Sequence, residues 1–216
     1  NHFTQESYSV ARGIAVAAAE KADRAFYKLI DEADAAINEA KTAGGWELNR
    51  PALAEAIGKN DEARRVMELG QYSESASLAD SARKKALSVA VQSKLANYDT
   101  QVSRITENLE QGRLQGITMF QVEDAIEIKQ QLVNIQDQFD RRNLSNYEFV
   151  MNELTKLEAQ LRNALDTTEE KVYKVIDGQY AELDELVAAG ATVYAGPLVD
   201  GARRGLPQGR RPAHPP

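Results

Sequence analysis

Acid–base and nucleophilic chemistry need histidine, cysteine or converging carboxylates, and this chain supplies little of that. Its two histidines, His2 and His214, stand at the two ends of a 216-residue sequence. No Ser-His-Asp or Cys-His set is available from the body. A di-iron bundle site needs two Glu-x-x-His motifs, and neither occurs. Cysteine is absent, which removes disulfides, thiolate metal sites, a catalytic thiol and Cys-x-x-Cys-His haem attachment. There is no glycine fingerprint for a dinucleotide and no phosphate loop. What remains is carboxylate: Asp31, Glu32 and Asp34; Glu123, Asp124 and Glu127; Glu169 and Glu170. Glu123 and Glu127 share a helix face, a geometry for weak divalent-cation binding, but no calcium-loop spacing accompanies them. Such clusters are ordinarily solvated faces. The expectation is a chain that is not an enzyme and holds no cofactor or metal.

Candidates for binding are of a different kind. Trp46, the single tryptophan, follows Gly44-Gly45. Two readings are open for it: an aromatic anchor for a partner, or a staple over the junction of two helices. Arg203, Arg204, Arg210 and Arg211 lie in a stretch from Gly196 whose net charge, with Asp200, is +3; removing +3 from the total of -7 leaves a body of -10. An acidic body argues against nucleic acid, because phosphate binding needs a basic face. The arginines suit an acidic protein surface, anionic lipid head groups or the body itself. Asn143-Leu-Ser145 fits a glycosylation sequon but reads better as helix-capping chemistry.

The elements that must position these residues are helices. Ala, Leu, Glu, Lys, Gln and Asp dominate up to residue 195, with Pro51 as the one proline there. Tyr8, Ala11, Ala15, Ala18, Ala22, Phe26, Ile30, Ala33, Ile37 and Ala40 recur every three or four residues, which predicts one helix from about Thr4 to Thr42, stopped by Gly44-Gly45. Trp46 to Arg50 is a connection, and Pro51 opens a second helix ending near Leu69. After Gly70 a long helix runs from about Ser73 to Leu114, with a coiled-coil seam through Val91, Leu95, Tyr98, Val102, Ile105 and Leu109. A fourth helix covers Thr118 to Arg141. A fifth carries Tyr147, Val150, Leu154, Leu157, Leu161 and Ala164 and continues to Asp177, where Gly178 breaks or kinks it before a last piece near Ala181 to Ala189. From Gly196 onward, five of the six prolines predict extended chain. Tyr72, Tyr147 and Tyr180 each follow a predicted corner. This reads either as an internal duplication or as a common packing residue beside turns. No apolar run approaches the roughly 20 residues needed to span a bilayer.

Within residues 35–86, Ile37 and Ala40 precede Gly44-Gly45; Pro51, Leu53, Ala56 and Ala63 follow, then Gly70, Tyr72, Leu78, Ala79, Ala82 and Ala86. This pattern resembles the small helical domain of unknown function found in bacterial envelope lipoproteins, itself similar to a tetratricopeptide hairpin. Ser75 departs from the alanine that the pattern places three residues after the tyrosine. The resemblance implies a non-catalytic periplasmic or outer-membrane-associated protein and supplies no active-site residues.

The reading is therefore all-α: an Ala-rich, tetratricopeptide-like hairpin unit (1–90), an antiparallel coiled-coil bundle (91–195) and an extended tail (196–216). The expected function is a non-enzymatic structural or accessory subunit of a larger assembly in the bacterial cell envelope. Its partners are other protein subunits, docked through Trp46, Arg203, Arg204, Arg210 and Arg211. A sequence beginning at Asn1 also leaves room for peripheral membrane association through a lipid anchor upstream. The alternatives are a cytoplasmic location and a tetratricopeptide-like peptide-binding adaptor.

Overall fold

The computed structural model describes the backbone of residues 2–205, and the side chains of that span except 2–7, 18–20, 22, 23 and 192–194. Among these residues there are helices and no strand. The helices are α1 (His2–Thr42), α2 (Gly45–Leu48), α3 (Arg50–Glu68), α4 (Tyr72–Gln115), α5 (Ile117–Phe120), α6 (Val122–Gln138), α7 (Tyr147–Ala188) and α8 (Ala191–Gly205). Contacts divide the chain into two units, Asn1–Asp99 and Thr100–Pro216, with the boundary inside α4.

The first unit packs α1, α3 and the start of α4. Its core is mostly alanine: Ala33, Ala36 and Ala40 of α1, Ala56 and Ala63 of α3, and Ala79, Ala82 and Ala86 of α4 are all buried, with Ile37, Leu53 and Val89 between them. Small side chains let helix backbones approach closely, so stabilisation comes from many dispersion contacts rather than from large buried groups. The second unit uses larger residues for the same purpose. Ile105 of α4, Ile128, Leu132 and Ile135 of α6, and Val150, Leu154, Leu157 and Leu161 of α7 are buried.

One corner is built repeatedly. Gly44 and Gly116 end α1 and α4 with φ of 86° and 98°, a left-handed conformation that glycine adopts without a Cβ clash. Each is followed by a single helical turn, then an extended residue that caps the next helix: Asn49 (φ -149°, ψ 55°) and Gln121 (φ -138°, ψ 53°). The hydrogen bonds match. Gly44 O accepts from Glu47 N and Leu48 N, both at 3.1 Å, and Gly116 O accepts from Met119 N at 2.8 Å and Phe120 N at 3.1 Å. Asn49 N donates to Gly45 O at 2.9 Å, and Gln121 N to Ile117 O at 2.8 Å. A third copy follows Gly190 (φ 89°), with Ala195 (φ -143°, ψ 35°) as the extended residue inside α8. The three glycines stand 72 and 74 residues apart. The repeated element is this corner; of the three tyrosines, Tyr72 and Tyr147 open α4 and α7 after other turns, and Tyr180 lies inside α7.

Several sequence expectations need correction. The fourth predicted helix is two, because Gln121 leaves helical geometry between α5 and α6. α7 runs through Gly178 unbroken; one exposed glycine costs about 1 kcal/mol in a helix, less than ending the helix there and nucleating a new one. Val91 is 44% exposed and not in a seam. In α4, Ser75, Ala79, Ala82, Ala86, Val89 and Ser93 are buried on one helical phase, and Gln101, Ile105 and Gly112 on another. A stripe carried back from Ile105 therefore misses the inward face near Val91. Finally, residues 196–205 are helical rather than extended. Pro197 comes two residues after the break at Ala195, in a first turn, where its missing N–H costs nothing. The remainder of the predicted tail, with Arg210 and Arg211, lies outside the described residues.

The glycine next to the first corner is sterically enforced. A Cβ on Gly45 would lie 2.7 Å from Ala40 O and 2.8 Å from Val89 Cγ1. Gly58, mid-helix in α3, has nothing within 4 Å of such a Cβ. Chemical denaturation is expected to show Gly45→Ala destabilising by about 1–3 kcal/mol and Gly58→Ala stabilising by about 0.5–1 kcal/mol. Equal effects of the two would show that the close approach does not constrain the fold.

Candidate interaction surfaces

Trp46 is held on the one-turn helix α2, whose place is set by Gly44. The indole is 36% exposed, and the Arg50 guanidinium carbon lies 6.0 Å from its ring centroid. That is a cation–π distance, and at an exposed site it is worth about 0.5–1 kcal/mol. The ring therefore keeps an accessible edge while Arg50 restricts it. Arg203 and Arg204 sit on α8, both exposed. Arg203 Nη2 is 3.4 Å from Asp184 Oδ1 on α7, and Arg204 Nε donates to Asp200 O at 3.2 Å. The described arginines of the basic stretch thus engage their own unit. The structure brings Arg203 and Arg204 together on α8, and Trp46 belongs to the other unit.

In the first carboxylate cluster, Glu32 and Asp34 are taken up in ion pairs. Asp34 of α1 accepts from Asn60 Nδ2 at 2.8 Å and from the Arg64 guanidinium, both on α3. Glu32 reaches Lys28 at 3.8 Å and Arg83 of α4 at 4.0 Å. Glu127 accepts from Gln131 at 2.9 Å, and with Asp124 it lines a shallow depression shared with Gln160 and Asn163 of α7. Among the described residues, no group of three His, Cys, Asp or Glu side chains is placed to hold a metal ion. Lys94 donates to Glu39 at 2.7 Å across α4 and α1. The groove that a tetratricopeptide-type adaptor would need between α1 and α4 is filled there, since Ala36, Ile37, Ala40, Ala86, Val89 and Ala90 form one buried cluster with α3.

Exposed ion pairs shift the carboxylates in a common direction. Glu55 is pulled below the usual carboxylate range by hydrogen bonds from Lys85 and then Lys59, and Asp80 by Lys84 and then Arg83. Arg64 is raised by its bond to Asp34. These pairs sit in solvent, so salt screens them and their individual worth is small.

Two interior polar residues escaped notice as contributors. Asn60, 1% exposed, ties α3 to Asp34. Ser75, also 1% exposed, donates its hydroxyl to Ala63 O at 2.8 Å, which gives the departure from alanine at this position a structural reason. α6 presents a second apolar stripe, Val122, Ile126 and Val133, each 47% exposed or more. The sequence signal for it is an i, i+4, i+11 spacing opposite the buried stripe. No helix among the described residues is long and apolar enough to cross a membrane. No family pattern, curated protein or solved structure matches the chain.

Ser75→Ala is expected to lower stability by about 1 kcal/mol, read by urea denaturation; no change would mean that the hydroxyl contributes nothing net to the hairpin. The Glu55 and Asp80 values lie lower folded than unfolded. Their stabilisation is therefore present above the unfolded carboxylate range and is lost as pH falls through the folded values. The denaturation midpoint should fall on acidification through that range, and less steeply for Glu55→Gln with Asp80→Asn. An identical slope would remove these two groups as its source.

Proposed function

We propose that this chain is a non-enzymatic structural or accessory subunit of a larger protein assembly, a helical spacer or clamp that docks other subunits through exposed helical surfaces including Trp46, Arg203 and Arg204. The observation that carries this reading is the recurring glycine corner. Chains that reuse one helical corner at a near-constant interval build length and lateral surface, the product of repeat architectures. A location in the bacterial cell envelope is part of the same reading and rests on the resemblance of residues 35–86. Docking is to protein, through an exposed aromatic of the type that anchors interfaces and through arginines held near acidic neighbours.

The test is recovery of the chain from its native source after mild cross-linking. The wild type is expected to bring down a defined set of other subunits. Trp46→Ala combined with Arg203→Ala and Arg204→Ala is expected to lose them while keeping the fold, since the Trp46–Arg50 and Arg203–Asp184 contacts are each worth under about 1 kcal/mol. Recovery of the wild type alone, or of the same set by the variant, would overturn the reading.

A further inference from the structure

Each complete unit contains the second part of a long helix, a short helix reached through the glycine corner, and the first part of the next long helix. In the first unit these come from α1, α3 and α4; in the second, from α4, α6 and α7. The corner at Gly190 starts a third set, made of the second part of α7 and α8, and no further long helix returns onto it among the described residues. Val199 shows that α8 is docked in the same register: it is 6% exposed and stands nine residues after its corner glycine, as Leu53 (0%) does. Positions that a returning helix covers elsewhere are open here. Twelve residues after the glycine, Ala56 is 0% and Ile128 3% exposed, whereas Ala202 is exposed. Four residues before it, Ala40 and Gly112 are buried, whereas Leu186 is 57% exposed.

The first part of α1 is the complementary fragment, the start of a long helix whose described side chains up to Ala25 are exposed. Near their starts α4 buries Ala79 and Ala82, and α7 buries Leu154, Leu157 and Leu161. Near the start of α1, Tyr8, Ala11 and Ala15 are all exposed. Size and charge also match. Val89 closes on Gly45 in the first unit and Leu165 on Gly112 in the second; they lie 27 and 25 residues before the next corner glycine. At that level α1 has alanine throughout residues 17–19, and the third set carries the larger Leu186. Residues 8–28 hold four basic and two acidic side chains, and residues 169–188 hold six acidic and two basic.

We propose that the first part of α1 of one copy docks on the α7–α8 face of a second copy, head to tail, completing a third three-helix unit. The contact is heterologous, so each copy retains one free head and one free tail, and association extends or closes into a ring. Trp46 is outside this junction, whereas Arg203 and Arg204 stand beside it on α8, so Trp46→Ala alone separates docking of other subunits from the self-association.

The experiment is sedimentation velocity on the full chain and two blocked variants. The head-blocked variant carries Ala11→Glu and Ala15→Glu; the tail-blocked variant carries Leu186→Gln and Ala202→Glu. All four positions are exposed, and circular dichroism checks that helicity is kept; Ala15→Gln and Ala202→Gln serve as milder replacements. The wild-type mass is expected to rise in whole-chain steps as concentration increases about a hundredfold. Each variant alone is expected to stay monomeric, and an equimolar mixture to give a complex of two chains and no more, since one productive junction survives. A wild type that is monomeric throughout overturns the proposal. So does association lost in the head-blocked variant but kept in the tail-blocked one, which indicates α1 pairing with itself, and so does a mixture that fails to associate.

Discussion

The fold depends on how a long helix is allowed to turn. A helix of 41 or 44 residues ends cleanly only if its last carbonyls find donors and the backbone then changes hand. Glycine at positive φ does both, and the single turn after it re-aims the chain before an extended cap starts the next helix. Once that geometry is fixed, register follows. The residue after the glycine is buried, as Gly45 and Ile117 are, and so is the position twelve residues on, Ala56 and Ile128. At the first corner the returning helix comes so close that Gly45 has no room for a methyl group.

Around this constraint the two units solve packing differently. The first brings helices together on alanine and adds cross-helix polar ties: Asn60 to Asp34, Ser75 to Ala63 O, Lys94 to Glu39. The second occupies the place of Asn60, counted from its corner, with Leu132. Volume supplies adhesion there. Alanine interfaces are nearly featureless along the helix and resist sliding poorly. A buried amide with one fixed partner is penalised when the register slips, since an unpaired buried polar group costs about 1–3 kcal/mol. The exposed ion pairs around it add little adhesion, because solvent and salt weaken them.

Much of the architecture was legible because it is written in local chemistry. Helical periodicity, Pro51 in a first turn, and Gly44, Gly70 and Gly116 as stops give α1, α3 and α4 to within a few residues. The misses share a physical origin. Gln121 breaks the chain without proline or glycine, because the preceding Gly116 has already committed the backbone to the corner. Gly178 looks like a stop and is not one, since a single glycine costs less than breaking a continuous helix and nucleating another. Proline content made residues 196–205 look extended, although Pro197 sits at a helix start, where proline fits. The α4 stripe was extrapolated through a change of inward phase that only tertiary contacts reveal. Trp46 and the arginines were legible as accessible chemistry. Asn60 was not, because one polar residue on an apolar stripe carries no sign of its partner 26 positions earlier.

Sharing long helices between units has an energetic consequence. α4 contributes to both cores, with its residues divided between them at Asp99. Ending helical structure at that boundary would strand backbone donors and acceptors on both sides and require a new nucleus, which is costly. Each unit is therefore coupled to its neighbour through the continuous backbone hydrogen bonding of α4. Repeat arrays gain stability in this way, unit by unit. The weakest members are those whose long helix has no second set to enter. Among the described residues, the first part of α1 and the α7–α8 set are less covered than the two complete units, and each lacks the kind of surface that the other presents.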